Sequence, residues 1–337
     1  MNVSAWLRGK GIPAATAILC LFVSCSVGAT VEILENRSQT PVFLGCKAVD
    51  KRTLHFKFSQ AVEVLSFNSE PPLPVEEIEG GEMVRVCMSD DVPGGVPYTA
   101  DMLVKDGGGN TLNVLIPFRS RNERMPKVLI NELRTEYSRP RTEYVELKTL
   151  EAGNLGALRL FIPGNTKQPL IFEFPPVEVG AREYVVVYLR TLEETESSSA
   201  PPGGGDDAES PREFWVPGNE KLLHKTDVVY VMDQDDNIVD AVMMSENPDS
   251  WWTKDHFVEA ADLLYREGEW LSVDEGIAGP ADAVITFNIK TAATRSISRD
   301  EEVPDSNTAA DWYVTATATK NPGATPGERN NPNRFEE

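Results

Sequence analysis

Short runs in which apolar and polar side chains alternate fill the first third of the chain, among them Leu54-His55-Phe56-Lys57-Phe58 and Met83-Val84-Arg85-Val86-Cys87. A period of two sends successive side chains to opposite faces of an extended backbone, so each run predicts a strand with one buried face. Pro71-Pro72-Leu73-Pro74, Pro93-Gly94-Gly95 and Asp106-Gly107-Gly108-Gly109-Asn110 interrupt any longer element. This rhythm of runs and breaks over residues 30–118 predicts a small all-β domain arranged as a sandwich.

The second half carries the same period with two interruptions. In Tyr144-Val145-Glu146-Leu147 the alternation turns Val145 and Leu147 to one face and Tyr144 and Glu146 to the other, while the unbroken Tyr184 to Leu189 suits a central strand covered on both sides. Asp227 to Met232, the acidic turn Asp233-Gln234-Asp235-Asp236-Asn237, and Ile238 to Met243 read as a hairpin. Residues 193–213 hold Ser197-Ser198-Ser199, Pro201-Pro202 and Gly203-Gly204-Gly205 among many acids. With few apolar groups to bury, that stretch is expected to be a disordered loop. Residues 253–267 place Phe257, Ala261 and Leu264 at helical spacing, with Gly268 positioned to end the helix.

The amino-terminal pattern differs from everything after it. Residues 1–24 carry Arg8 and Lys10, no acid, and the apolar run Ala14 to Val23, too short to cross roughly 30 Å of hydrocarbon. This is the layout of an export signal, and it places the rest of the chain outside the cytoplasm. Phe22-Val23-Ser24-Cys25 resembles the lipobox of bacterial lipoproteins, with Phe22 where that family usually has Leu. The resemblance implies acylation of Cys25 and a peripheral protein held to a membrane by its acyl chains, in the periplasm or on the outer surface. The alternative is plain signal cleavage after Gly28 or Ala29.

Charge and cysteine content narrow the function. The whole sequence has 32 basic and 53 acidic residues, a net charge of −21, and residues 1–24 hold none of the acids, so the remainder is more acidic still. Such a surface repels phosphate backbones, so nucleic acid is not expected as a partner. The one dense basic stretch, Arg119, Arg121, Arg124 and Lys127, reads as part of a linker over residues 119–126. Beyond Cys20 and Cys25 only Cys46 and Cys87 remain, and in an oxidising compartment a bond between them is expected, worth about 4 kcal/mol by chain entropy. Two buried free thiols are the alternative.

Two further resemblances organise the chain. Residues 50–58, Ala61-Val62 and 98–110 resemble bacterial immunoglobulin-like domains that serve as stalks on exported proteins, which implies a spacer or interaction module. Val128-Leu129-Ile130-Asn131-Glu132-Leu133, Glu143-Tyr144-Val145-Glu146-Leu147, Ser296-Ile297-Ser298-Arg299, Asp311-Trp312 and Thr325-Pro326-Gly327 with Asn330 together look like the lamin-tail domain, over residues 127–331. Ile130-Asn131-Glu132 matches that family's opening strand and Pro326-Gly327 with Asn330 its closing turn, while Tyr144 stands where it usually has Trp. The resemblance implies an immunoglobulin-like β-sandwich, followed here by a short tail, 332–337.

Candidate chemistry is sparse. His55, His224 and His256 are scattered without zinc-ligand spacing, no Gly-x-Ser-x-Gly elbow occurs, and neither Cys46 nor Cys87 is close to a histidine in sequence. Asp233, Asp235 and Asn237 occupy the first three ligand positions of a helix-loop-helix calcium pattern, but Ile238 replaces its Gly and Met244 its closing Glu, so the stretch reads as a hairpin turn. Glu132, Glu143 and Glu146 invite comparison with paired catalytic carboxylates but fall on the lamin-tail strand pattern and read as structural. Trp215, Trp251, Trp252 and Trp270 flank the two interruptions. Adjacent Trp251 and Trp252 cannot easily both face one core; the favoured reading is that the tryptophans pin the helix to the sandwich, the alternative being that Trp251 or Trp252 is exposed as a ligand contact.

The sequence therefore predicts an all-β chain of two immunoglobulin-like sandwiches in tandem, the second with a helical insertion. The expected role is non-catalytic binding or scaffolding at the cell envelope, with no cofactor, partnered by the membrane and by another envelope or extracellular protein. The alternatives are an accessory to a metal-dependent hydrolase or nuclease, and a carbohydrate-binding surface protein.

Overall fold

The computed structural model describes residues 40–137, 141–191, 212–274, 276–286, 295–315 and 326–335. Residues 1–24, Cys25 and nearly all of the stretch 193–213 lie outside the described residues. The chain is mostly β-sheet, in several sheets, with one α-helix among the described residues. It divides into two compact units: residues up to Asp91 with Tyr98–Phe118, and Val92–Pro97 with Arg119 onward.

The first unit is organised by one long strand. Strands β1 (Phe43–Ala48), β2 (Thr53–Glu70), β3 (Val75–Glu79), β4 (Gly81–Met88), β5 (Pro97–Asp106) and β6 (Thr111–Arg119) make a single six-stranded sheet. Residues Thr53–Phe58 of β2 pair with β1 and β4, whereas Val62–Glu70 pair with β5, with a register shift between Lys57 and Val62. The Phe56 ring meets Phe67 at 5.9 Å and Phe118 at 6.1 Å, so the two halves of the sheet enclose one core. Alternation decides what is inside: Leu54, Phe56 and Phe58 are buried with Val84, Val86, Met102 and Val104.

The expected disulfide does not form. Cys46 and Cys87 are both free. Cys46 lies opposite Phe56 on the core face of β1, while Cys87 is out of phase with buried Val84 and Val86 and lies across from Thr53 on β4. An intervening strand and opposite side-chain directions keep the sulfurs apart. Burial pushes the Cys46 thiol up to about 12.

In the second unit, β7 (Val128–Arg134), β8 (Tyr144–Thr149), β13 (Tyr184–Tyr188), β14 (Arg212–Trp215), β18 (Ile297–Arg299) and β19 (Trp312–Val314) form one sheet in the order β14-β13-β8-β7-β18-β19. A second sheet runs β11-β10-β15-β16-β17, from β10 (Arg159–Phe161), β11 (Leu170–Glu173), β15 (Asp227–Met232), β16 (Ile238–Ser245) and β17 (Val284–Ile285). The short strands β9 (Gly153–Asn154) and β12 (Glu178–Val179) pair separately. Ile130, Val145, Leu147, Val185 and Val187 of the first sheet share a core with Leu160, Val229, Val231, Val242 and Met244 of the second. Helix α1 (Asp255–Glu267) packs on β15 and β16 through Phe257, Ala260, Ala261 and Leu264, and Gly268, at φ 79°, ends it in the left-handed conformation that glycine adopts without strain.

Three expected boundaries shift. Residues 119–126 are not a free linker but part of the second unit, where the Asn122 amide donates to the carbonyls of Asn154 (2.7 Å) and Gly156 (2.8 Å) and its backbone exchanges two hydrogen bonds with Gln234. Arg212 and Glu213, expected in the loop, begin β14, which pairs parallel with β13. In the expected tail, Phe335 packs against the core and its N–H donates to Val314.

Two hairpins close with the same turn. Asp233 Oδ1 accepts from the N–H groups of Asp235 (2.7 Å) and Asn237 (3.0 Å), and Oδ2 from the Asn237 amide (2.9 Å). In the first unit Asp106 does the same for Gly108 and Asn110, each at 2.8 Å. Asp236 and Gly109 take the positive φ that a three-residue hairpin loop with a bulge requires. Asp233→Ala leaves these donors to water, and a loss of about 1–2 kcal/mol is expected. It should appear as a lower urea midpoint at unchanged slope, and an unmoved midpoint would discount the turn's contribution.

Candidate functional site

A cleft of about 420 Å³ opens beside the start of α1, within the second unit. Its walls come from Gly164 after β10, His224, Thr226 and Asp227 before and at the start of β15, Ser245 to Asn247 at the end of β16, residues 250–254, and Phe257 and Pro280. The volume falls in the roughly 300–1,000 Å³ range of small-molecule sites.

One carboxylate sets the floor. Asp227 is fully buried, its Oδ1 accepting from the N–H groups of Gly164 (3.2 Å) and Val228 (3.0 Å) and its Oδ2 from that of His224 (3.1 Å). A Cβ at residue 164 would lie 2.4 Å from Oδ1, which is why glycine is needed there. The His224 Nδ1 is 3.6 Å from Oδ2, beyond a hydrogen bond, so the carboxylate serves backbone donors and holds two loops together.

The adjacent tryptophans divide as alternation along an extended segment requires. Trp252 is 7% exposed, donates from Nε1 to the Ala278 carbonyl at 2.9 Å and packs 5.7 Å from Phe257. Trp270 is buried likewise, donating to the Asp282 carbonyl. Trp251 is 57% exposed, and its six-membered ring closes on Gly279, where a Cβ would come within 2.7 Å of Cζ3. Trp252 and Trp270 therefore pin the segment around 278–282 to the helix, and Trp251 presents an indole to the cleft. Trp215 stacks on Tyr188, with ring centroids 5.4 Å apart.

Asp233, Asp235 and Asn237 do not converge as ligands. Asp233 caps its turn, Asp235 is ion-paired with Arg121 at 2.6 Å and Asp236 with Arg159 at 2.7 Å. Among the described residues no three His, Cys, Asp or Glu side chains are grouped to hold a metal ion. His55 lies in β2, His224 on the rim of the cleft, and His256 on the helix against Phe257.

The three glutamates separate. Glu143 forms a two-pronged ion pair with Arg190 at 2.8 and 3.0 Å. Glu132 and Glu146 are cross-strand neighbours on β7 and β8, both buried. Glu132 accepts from the hydroxyls of Tyr144, Ser296 and Ser298, and Glu146 from the Asn131 amide (2.8 Å) and the Gly327 N–H (2.5 Å). Burial pushes Glu132 up to about 7 and Glu146 up to about 8, against the pull of those donors. The Asn330 amide donates to the carbonyls of Asn131 and Arg299, so residues 326–335 are fastened over the polar face of the sheet. The opening and closing segments singled out in the sequence thus meet.

Sequence reasoning missed the buried pair that ties the two sheets together. Arg299 of β18 donates from Nη2 to both oxygens of Asp240 on β16 (2.9 and 2.7 Å) and from Nε to the Ile130 carbonyl (2.8 Å). Asp240 also accepts from the Ile130 N–H. The signal was present, since Asp240 interrupts an apolar run and Arg299 is in phase with Ile297.

Comparison with known proteins places this unit. An uncharacterised protein of Treponema pallidum (strain Nichols) is 25% identical over 242 residues, 66% of this chain and 61% of the relative, so the chain spans about three fifths of that protein's length. The N-terminal part of the bacterial S-layer protein SbsC aligns at a TM-score of 0.26 and 16% identity, covering 47% of this chain and 42% of that one. Residues 126–314, more than half of the sequence and all within the second unit, match the family model TP_1001_2nd, described as a protein second domain, and the chain belongs to that family.

Proposed function

We propose that the chain is an exported, lipid-anchored, non-catalytic binding protein of the cell envelope, whose contact surface is the cleft at Trp251. The exposure of Trp251 beside buried Trp252 carries this reading, because a large aromatic left in water at a concave, well-supported site is the usual anchor of a recognition surface. The placement at a membrane is supported by the basic and apolar pattern of residues 1–24 ending at Cys25. The two units are read as immunoglobulin-like sandwiches in tandem, the second of lamin-tail type. The shared core of its two sheets and the docking of Gly327 and Asn330 on β7 and β8 support that assignment. Hydrolase-accessory chemistry gains no support from the turn acids, each held by a donor or an arginine.

The anchor is tested by expression in a lipoprotein-processing bacterium with radiolabelled palmitate. Label is expected in the wild-type chain and absent from Cys25→Ala, with the variant shifting from the membrane to the soluble fraction. Equal labelling of the two would remove the acyl anchor from the proposal.

A further inference from the structure

We infer that the cleft at Trp251 takes a pyranose sugar; this rests on the reading of the cleft as the contact surface and names its ligand class. Sugar rings with equatorial hydroxyls carry two kinds of surface, an apolar face of C–H bonds and a polar rim of donors and acceptors in the ring plane. The cleft offers a counterpart to each. The indole of Trp251, supported from beneath by Gly279, provides a flat apolar platform that loses little conformational entropy on binding.

Around that platform the side chains are short and polar. Among the described residues, those of Asn247, Ser250 and Thr253 line the cleft and make no hydrogen bond within the protein, so their amide and hydroxyl groups are available to a ligand. Glu246, also on the wall, is held 3.5 Å from Lys225 and offers carboxylate oxygens to sugar hydroxyls. Asn247, Ser250 and Thr253 are exposed to water, and a ligand that covers them must replace the hydrogen bonds that water gives them, so this mixture of one aromatic face with several polar groups selects a ligand rich in hydroxyls over an apolar one.

Two competing ligand classes fit less well. Anions gain no net attraction, because Lys254 and His224 in the lining are set against Glu246 and Asp227 and the surface as a whole is acidic. An extended peptide adding to a sheet edge would need a free strand, but β16 at the cleft is paired on one side with β15 and on the other with β17.

The test uses the full chain without residues 1–24, titrated with β-linked oligosaccharides of glucose and of N-acetylglucosamine up to millimolar concentration and followed by tryptophan fluorescence and calorimetry. Saturable binding is expected, weakened at least tenfold by Trp251→Ala and unchanged by Tyr265→Ala, an exposed aromatic on the helix. A thermal melt of Trp251→Ala within a few degrees of wild type shows that the loss is local. Sugar binding equal in wild type and Trp251→Ala overturns the inference. If no sugar binds but phage-displayed random peptides are selected by wild type and lost in Trp251→Ala, the sugar is overturned and the cleft stands as the contact surface. If neither sugars nor peptides depend on Trp251, both readings fall.

Discussion

Raising the pH from 5 to 8 is expected to lower the stability of the second unit by several kcal/mol. Glu132 and Glu146 face each other across β7 and β8, and burial raises both above the ordinary 4.5, to about 7 and about 8. The folded state therefore holds protons that the unfolded chain has already released. The stability this confers is complete below about pH 4.5 and is lost as the pair, titrating as one unit, gives up its protons while pH climbs through 7 and 8, each unit of pKa difference being worth about 1.4 kcal/mol. Asp240, pushed by burial to about 7 against the pull of Arg299, acts with the same sign. The carboxylates held below their usual range, Asp91, Asp106, Glu301 and Asp311, act only in more acidic solution. Trp215, Trp251, Trp252, Trp270 and Trp312 all belong to the second unit, so urea unfolding followed by tryptophan fluorescence reads it directly. Glu132→Gln should flatten the slope while keeping the fold, because the hydroxyls of Tyr144, Ser296 and Ser298 can reverse their donation to meet an amide. A stability that stays level or rises from pH 5 to 8 would refute the protonated pair.

Arg299→Ala is expected to cost about 3–5 kcal/mol at pH 8, the range for removing one partner of a buried ion pair. The guanidinium lies over the Trp312 ring at 4.6 Å, is 6% exposed, and fastens β18 to Asp240 on the opposing sheet and to the Ile130 carbonyl. Without it the Asp240 carboxylate is left in the core with only backbone donors. At pH 5 the loss should be smaller, because Asp240 can then take a proton. The double variant Arg299→Met with Asp240→Leu should recover much of the stability, since the core carboxylate goes with its partner, while Asp305 and Asp311, which also face Arg299, keep donors from Ser306 and Asn307. Equal losses for Arg299→Ala and the double variant at both pH values would mean that packing, not charge, makes the contribution.

What was legible in the sequence follows the physics of local signals. Alternation in Leu54 to Phe58 and in Met83 to Cys87 located β2 and β4, and Phe257, Ala261, Leu264 and Gly268 located the helix, because each depends only on neighbours along the chain. Alternation also set Tyr144 and Glu146 apart from Val145 and Leu147. Yet it could not tell that the polar face of β8 would be covered too, which depends on residues 326–335, far away in sequence. The cysteines failed for the same reason, since counting gives a pair but only strand order shows that β2 comes between them. That Trp251 and Trp252 would not easily share one core was readable from their adjacency, but the favoured reading, that both pin the helix, holds only for Trp252. Which one faced water was not readable, because that choice rests on Ala278 and Gly279.

Because β2 supplies ladder partners to both halves of the first unit, neither half can peel away without stripping the other. The consequence is cooperativity: hydrogen exchange across β1 to β6 should follow one opening event and not a series of hairpin losses. A module of that kind is expected to open in one step, and not strand by strand, under a pull along the chain.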